Sequence, residues 1–351
     1  MDGDDQLDIY VGCGRRTPPR NLYPNQLHWQ RTPGQFVNVA AERGLDIPEV
    51  GVFVWLDADN DRDMDLLSTD NQAFWLYVNQ SGRFTRQPIG QSGSIVRNLT
   101  IADYDSDGDI DVFAVTEKRN IFLMNHGGTY KLTDPQSLGL PARSYAAQWV
   151  DYDNDGLTDL YVSPDGIYRQ RPNRRFEATQ ILERQYAKGR LFGTWFDADH
   201  DGLRDVLVAV KEMPPIWKRA WLKLLKIVDP KLIVRFEKWN LVLYRNMGTK
   251  THWVQFQLMG SEGNRPAVGA VVEVTSPDGT QRQQVGQADG SIRSQGHYRL
   301  YFGLGPHQQQ VSAKIFWPDG HIQDMNDLAV DQLFVVQRKG LKVSRSAGLP
   351  Y

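Results

Sequence analysis

The stretch "DYDSDGDIDVF", residues 103–113, sets a carboxylate at every second position: Asp103, Asp105, Asp107, Asp109 and Asp111. Five like charges in so short a run repel one another, so a chain that keeps them must offset the repulsion. Three further windows share the spacing: "DADNDRDMD" from residue 57, "DYDNDGLTD" from 151 and "DADHDGLRD" from 197. Counted from its first Asp, each window has Asp at offsets 0, 2, 4 and 8. The first supplies Asp57, Asp59, Asp61 and Asp65, with Asp63 in addition; the third supplies Asp151, Asp153, Asp155 and Asp159; the fourth supplies Asp197, Asp199, Asp201 and Asp205. Oxygen donors at these intervals on a tight loop can wrap a hard cation, and calcium takes about six to eight of them. An EF-hand is the competing reading, because Gly108, Gly156 and Gly202 stand at its sixth position. Its twelfth position should be Glu but is Ser68, Ala114, Val162 and Val208, and the flanks are β-like.

The charge balance points the same way. The formal net charge is only −2, yet the four windows hold 18 of the 42 acidic residues and two basic ones, Arg62 and Arg204. The remaining chain carries 24 acids against 38 Lys and Arg. One cysteine, Cys13, excludes a disulfide framework, a thiolate zinc site and a CxxC redox pair. No apolar run reaches the length of a membrane span, and no signal peptide opens the chain.

The loops need elements to position them. Apolar residues precede each window, such as "VFVWL" before Asp57 and "GTWF" before Asp197, and "LLS", "VFAV", "LYVS" and "VLVAV" follow the closing Asp. Asn79 and Asn125 come 14 residues after the closing Asp of the first two windows, and the third reaches a similar turn at "YRQRPNRRF". The period of 46 to 48 residues reads as strand, acidic loop, strand, turn, strand, which is the unit of a four-stranded propeller blade.

This pattern resembles the FG-GAP/VCBS repeats of integrin α-chain heads and many extracellular bacterial proteins, whose loops follow D-x-D-x-D-G-x-x-D. The resemblance implies a calcium-binding β-propeller. Arg62 departs by standing where Gly belongs, so the first loop is expected to be distorted or weaker. "MDGDDQLD" fits the same template with Asp2, Asp4 and Asp8 at offsets 2, 4 and 8. Offset 0 falls before Met1, so the chain is expected to begin inside a metal loop: either the native polypeptide is longer, with any signal peptide in the upstream segment, or the first blade is damaged. That gives about five blades, against the seven or so the resemblance implies, and four to five calcium ions.

From about residue 250 the acidic loops stop and alternating β-formers broken by Gly, Pro and Asp turns take over. "NRPAVGAVVEV", with Asn264, Arg265, Gly269 and Ala270, together with "SQG", "RLYFGLG" and "WPDG" resembles the ASPIC/UnbV domain. Repeats followed by this domain resemble the cartilage acidic protein family and its bacterial relatives. Gly303, Gly305 and Pro318 read as turn positions. The expected organisation is an all-β chain: propeller repeats over 1–249, a small β-sandwich-like ASPIC/UnbV domain over 250–338, and a tail over 339–351.

No G-x-S-x-G, H-E-x-x-H, Walker or Rossmann motif is present, and the seven histidines are scattered. The fourth repeat spends 41 residues between Asp205 and Asn246. Within 211–240, Ile216, Trp217, Ala220, Trp221, Leu224, Leu225 and Val228 follow helical spacing opposite Arg219, Lys223 and Lys226, and Asp229-Pro230 opens a second helix. That insertion is expected to pack on the propeller or to dock on a partner or a membrane surface. The function expected is a non-catalytic, calcium-binding, extracytoplasmic interaction or adhesion module with a protein or polysaccharide partner and no nucleic acid. The competing expectation is an enzyme or accessory protein of natural-product biosynthesis that uses the propeller cavity.

Overall fold

In the structure, a computed structural model, residues 4, 6–12, 24–48, 51–70, 72–179, 191–212, 238–248, 251–287, 298–306, 310–338 and 344–345 are described. Five antiparallel sheets follow one another along the repeats. The first holds β1 (Ile9–Val11), β2 (Gln26–Thr32) and β3 (Gln35–Asn38), and a short helix, α1 (Ala40–Arg43), leads out of it. The second holds β4 (Phe53–Leu56), β5 (Asp65–Thr69), β6 (Ala73–Gln80) and β7 (Arg83–Gln91). The third is β8 (Val96–Ala102), β9 (Asp111–Thr116), β10 (Ile121–His126) and β11 (Thr129–Thr133). The fourth is β12 (Ala146–Val150), β13 (Asp159–Ser163), β14 (Gly166–Gln170) and β15 (Phe176–Thr179). The fifth is β16 (Leu191–Phe196), β17 (Asp205–Glu212) and β18 (Lys238–Tyr244). In each sheet the strands are ordered as they occur in the chain, so every sheet is a meander, and β4, β8 and β12 lie side by side at its leading edge.

The strands that follow the acidic loops are apolar on both faces, and packing explains why. The second, third and fourth sheets each lie between two neighbours, so "DVFAVT" in β9 and "DLYVS" in β13 are buried at every position. The first and second sheets share a core of Leu27, Leu45, Leu66, Tyr77 and Phe84. The second and third share Leu56, Leu67, Leu76, Val112 and Leu123. Phe113, Phe122, Trp149, Leu160 and Phe176 join the third to the fourth, and Tyr161, Ile167, Trp195, Val206 and Val208 join the fourth to the fifth. A fully buried Leu or Phe contributes about 1.5–3 kcal/mol, so the blades are held chiefly through these shared cores.

Two four-stranded sheets make up the C-terminal part. One is ordered β22 (Leu300–Gly305), β19 (His252–Met259), β25 (Gln332–Gln337), β26 (Ser344–Arg345), with β19 and β25 parallel. The other is ordered β21 (Gly279–Gln284), β20 (Val271–Ser276), β23 (Val311–Phe316), β24 (Ile322–Leu328). Phe256, Phe302 and Phe334 of one sheet meet Val272, Ile315 and Met325 of the other in one core, a β-sandwich.

The expected helical insertion over 211–240 needs a correction at its ends. β17 runs through Glu212 and β18 starts at Lys238, with Lys211 paired to Trp239 and Glu212 to Lys238, because the antiparallel ladder continues past the blade's edge. Residues 213–237, where the helical spacing and the docking surface were placed, lie outside the described residues.

Candidate metal centres

Each acidic loop joins the first strand of its sheet to the second, over 57–64, 103–110, 151–158 and 197–204. The closing Asp65, Asp111, Asp159 and Asp205 are each the first residue of the second strand and are at most 2% exposed. One oxygen of each accepts the N–H one residue past the opening Asp: Ala58 at 2.9 Å, Tyr104 at 3.4 Å, Tyr152 at 3.3 Å and Ala198 at 2.9 Å. The other oxygen accepts a backbone N–H from the third strand or just beyond it, from Asn79, Asn125, Gln170 and Asn246, all at 2.7–2.8 Å. These carboxylates bolt the loop to its own sheet.

The amides at those positions then reach across to the preceding blade. Asn125 Nδ2 donates to the Ala58 carbonyl at 2.7 Å, Gln170 Nε2 to Tyr104 at 2.8 Å and Asn246 Nδ2 to Tyr152 at 2.6 Å. The recurrence of Asn79 and Asn125 was visible in the sequence, but its purpose and the substitution of Gln170 were not. Replacing Asn125 by Ala leaves the buried Ala58 carbonyl unpaired. The expected loss is about 1–3 kcal/mol, read as a lower urea midpoint at unchanged slope. An unchanged midpoint would show that the contact holds nothing together.

The opening Asp organises the loop itself. Asp103 accepts the N–H groups of Asp107 and Gly108 at 3.1 Å, and Asp151 accepts those of Asp155 at 3.2 Å and Gly156 at 3.1 Å. Asp197 accepts Gly202 N–H at 3.1 Å. The turn requires left-handed backbone, with φ of +93° at Gly108, +84° at Gly156 and +90° at Gly202. Arg62 adopts +75° at the same place, at a cost of about 1–2 kcal/mol, so the first loop keeps the turn despite lacking Gly. The expected distortion lies in the partners instead: Asp57 Oδ2 accepts Arg282 Nη2 at 3.1 Å from the C-terminal sandwich.

Among the described residues, four groups of three carboxylates bring their oxygens within 4.8 Å of one another: Asp57, Asp59 and Asp61; Asp103, Asp105 and Asp111; Asp151, Asp153 and Asp159; Asp197, Asp199 and Asp205. The remaining candidates, and Asp61 of the first trio as well, serve the loop backbone. Asp107, Asp155 and Asp201 each accept the N–H two residues on at 2.9 Å, and Asp61 does the same for Asp63 at 2.8 Å. Asp109 accepts Asn60 Nδ2 at 2.6 Å and Gly127 N–H at 2.7 Å. In the first sheet, Asp8 accepts Gln30 N–H at 3.0 Å in the manner of a closing Asp, and Asp4 accepts Gln6 N–H at 2.9 Å. Asp2 lies outside the described residues.

The donors suit a hard cation. In every loop one buried carboxylate oxygen has no hydrogen-bond partner: Asp57 Oδ1, Asp105 Oδ1, Asp153 Oδ1 and Asp197 Oδ1. Burial, reinforced by neighbouring carboxylates, pushes Asp103 up to about 6, Asp65 and Asp151 up to about 7, and Asp111 up to about 8. Two loops also meet an arginine of their own sheet. Arg169 Nη2 contacts Asp153 at 2.7 Å and Asp155 at 2.9 Å, while Arg245 pairs with Asp199 and with Asp201.

The sandwich sits directly on these loops. Gln255 Nε2 donates to Asp197 Oδ2 at 2.9 Å, Gly305 N–H to the Asn154 carbonyl at 2.8 Å, and Thr251 Oγ1 to the Asp153 carbonyl at 2.9 Å. Gly303 is not a turn residue as its sequence context suggested. It lies within β22, where a Cβ would stand 2.1 Å from Asp151 Oδ2 and 2.5 Å from Asn154 Cα, so close approach of the two parts demands Gly. Between them remains a cavity of about 140 Å³ lined by Trp149, Trp195, Arg204, Gln283, Arg299 and Tyr301, among others.

The FG-GAP-like repeat family matches residues 57–114 and 103–162, and the ASPIC and UnbV family matches residues 260–342. Among curated proteins, none matches this chain. A solved structure of an Agrocybe aegerita lectin that recognises non-reducing terminal N-acetylglucosamine is 13% identical, covering 94% of this chain and 78% of the lectin, with a TM-score of 0.41. The Photorhabdus luminescens Tc holotoxin pore is 14% identical over 90% of this chain and 16% of that one, with a TM-score of 0.34.

Proposed function

We propose that this chain, which carries FG-GAP-like repeats and a C-terminal ASPIC and UnbV domain, is a calcium-stabilised propeller module that acts outside the cytoplasm by binding a protein or polysaccharide partner and catalyses no reaction. The observation that carries the reading is the orphaned buried carboxylate oxygen repeated in all four described loops. Leaving such groups unpaired is costly, and a divalent cation would satisfy them. Asp103, Asp105 and Asp111, the trios at the same offsets in 151–159 and 197–205, and Asp57, Asp59 and Asp61 of the first loop would hold it. When bound, calcium supplies positive charge that cancels the repulsion among them. The closing Asp then keeps its two backbone hydrogen bonds, and the loop stays rigid beneath the sandwich.

FG-GAP repeats are typical of extracellular proteins, where calcium at about 10⁻³ M suffices for weakly chelating loops. None of the described helices is long and apolar enough to cross a membrane. The test is a calorimetric calcium titration of the full chain after chelator treatment. Saturable binding is expected, with the site in the loop 103–110 lost on Asp105→Asn and Asp111→Asn substitution; absence of binding would refute the reading.

The inter-domain cavity motivates a second reading, an enzyme or biosynthetic accessory protein, since it gathers two Trp, three Arg and a Tyr. At about 140 Å³ it is well below the roughly 300–1,000 Å³ of small-molecule sites, which favours the interaction module.

A further inference from the structure

The four loops are alike in backbone and unlike in charge. In the fourth and fifth sheets, the residue just before the amide that caps the closing Asp is an arginine: Arg169 before Gln170, and Arg245 before Asn246. In the second and third sheets the same place holds Val78 before Asn79 and Met124 before Asn125. Each arginine turns back onto its own loop and spans two carboxylates, Asp153 with Asp155 and Asp199 with Asp201. A guanidinium placed between two carboxylates takes up oxygens a metal would need and supplies the positive charge a metal would bring.

We infer that these two loops carry an internal arginine in the role the divalent cation plays elsewhere, and that the loop 103–110 is the principal calcium site of the chain. This rests on the calcium reading above and ranks its sites. Among the described residues, no Lys or Arg forms a salt bridge with Asp103, Asp105, Asp107, Asp109 or Asp111. Arg174 meets the Tyr104 carbonyl and Ser106 Oγ of that loop, each at 3.4 Å, and acts on Asp105 only through space, with no salt bridge to it. The loop 57–64 is intermediate. Arg282 holds Asp57 from the other domain, while Asp59 and Asp61 have no guanidinium among the described residues.

Burial grades the two arginine loops. The Arg169 side chain is 30% exposed against an Asp153 that is 9% exposed, so a metal entering there must expel a partly buried cation. The Arg245 side chain is 59% exposed and leaves more easily. The expected order of calcium affinity is 103–110 first, 57–64 and 197–204 next, and 151–158 last. Two blades are thereby locked at any calcium level, and the blade between β8 and β11 responds to the ion.

The test is calcium calorimetry on the full chain and on Arg169→Met, Arg245→Val and Asp105→Asn, each checked for a cooperative melt. The parent is expected to show a single tight equivalent, which Asp105→Asn removes. Arg169→Met and Arg245→Val should each add one equivalent, binding about tenfold or more tighter than the same loop does in the parent. Should Arg169→Met fail to fold, the more exposed Arg245→Val decides. Four equal sites in the parent, or unchanged isotherms in both arginine variants, would overturn the ranking while leaving calcium binding intact. A parent that binds no calcium would remove both.

Discussion

Removing divalent cations with EDTA will lower the melting temperature of the full chain by about 5–10 °C relative to millimolar calcium. The magnitude follows from linkage: one site held at about a hundredfold over its dissociation constant adds about 2.7 kcal/mol, and each kcal/mol moves a domain of this size by about 2–4 °C. The loss should also depend on pH. In the metal-free protein Asp103, Asp65, Asp151 and Asp111 have pKa values raised to about 6, 7, 7 and 8 by burial and neighbouring carboxylates. A carboxyl raised in the folded state binds more protons there than in the unfolded chain, so its contribution to stability falls as pH rises from about 4 through these values. The chelated protein should therefore melt higher at pH 5.5 than at pH 8. In saturating calcium the difference should shrink toward zero, because the ion holds these groups deprotonated in the folded state and the unfolded carboxylates are deprotonated as well. A melting temperature indifferent to chelator at pH 8 would contradict the assignment.

Introducing a side chain at position 303 should separate the two parts of the molecule. The Cβ of Gly303→Ala would meet Asp151 Oδ2 and the backbone of Asn154, and backbone cannot give way as a flexible side chain can. Forced overpacking costs about 3 kcal/mol, which opposes docking through the polar contacts of Thr251, Gln255, Arg282 and Gly305. The sandwich keeps its own core, in which Phe256, Val272 and Ile315 pack among residues of the C-terminal part alone. Calorimetry should then resolve two transitions in place of one, and small-angle scattering should report a larger radius of gyration. A single unshifted transition in Gly303→Ala would mean the interface tolerates the methyl group and is looser than its distances indicate.

The parts of this molecule that repeat were readable, and the parts that join the repeats were not. Asp at fixed offsets, with apolar runs on either side, specifies strand, loop and strand locally, so the blades and their loops follow from spacing alone. Arg169 and Arg245 gave no such signal. A charged residue on a strand reads as solvent-facing, and only the fold brings each onto its own loop. Arg282 is 225 residues from Asp57, beyond any local pattern. Gly303 was misread because "FGLG" matches turn chemistry, whereas the constraint on it comes from another domain's backbone. Gln170 was missed because the position needs a backbone N–H and a side-chain amide donor, which Gln and Asn both supply.

Anomalous diffraction from crystals grown in calcium, then soaked with a lanthanide, puts the metal loops to the most direct test. A peak among Asp103, Asp105 and Asp111, with oxygen ligands at about 2.3–2.6 Å for calcium, is the predicted result. Ordered loops that hold only water there at saturating ion would contradict it.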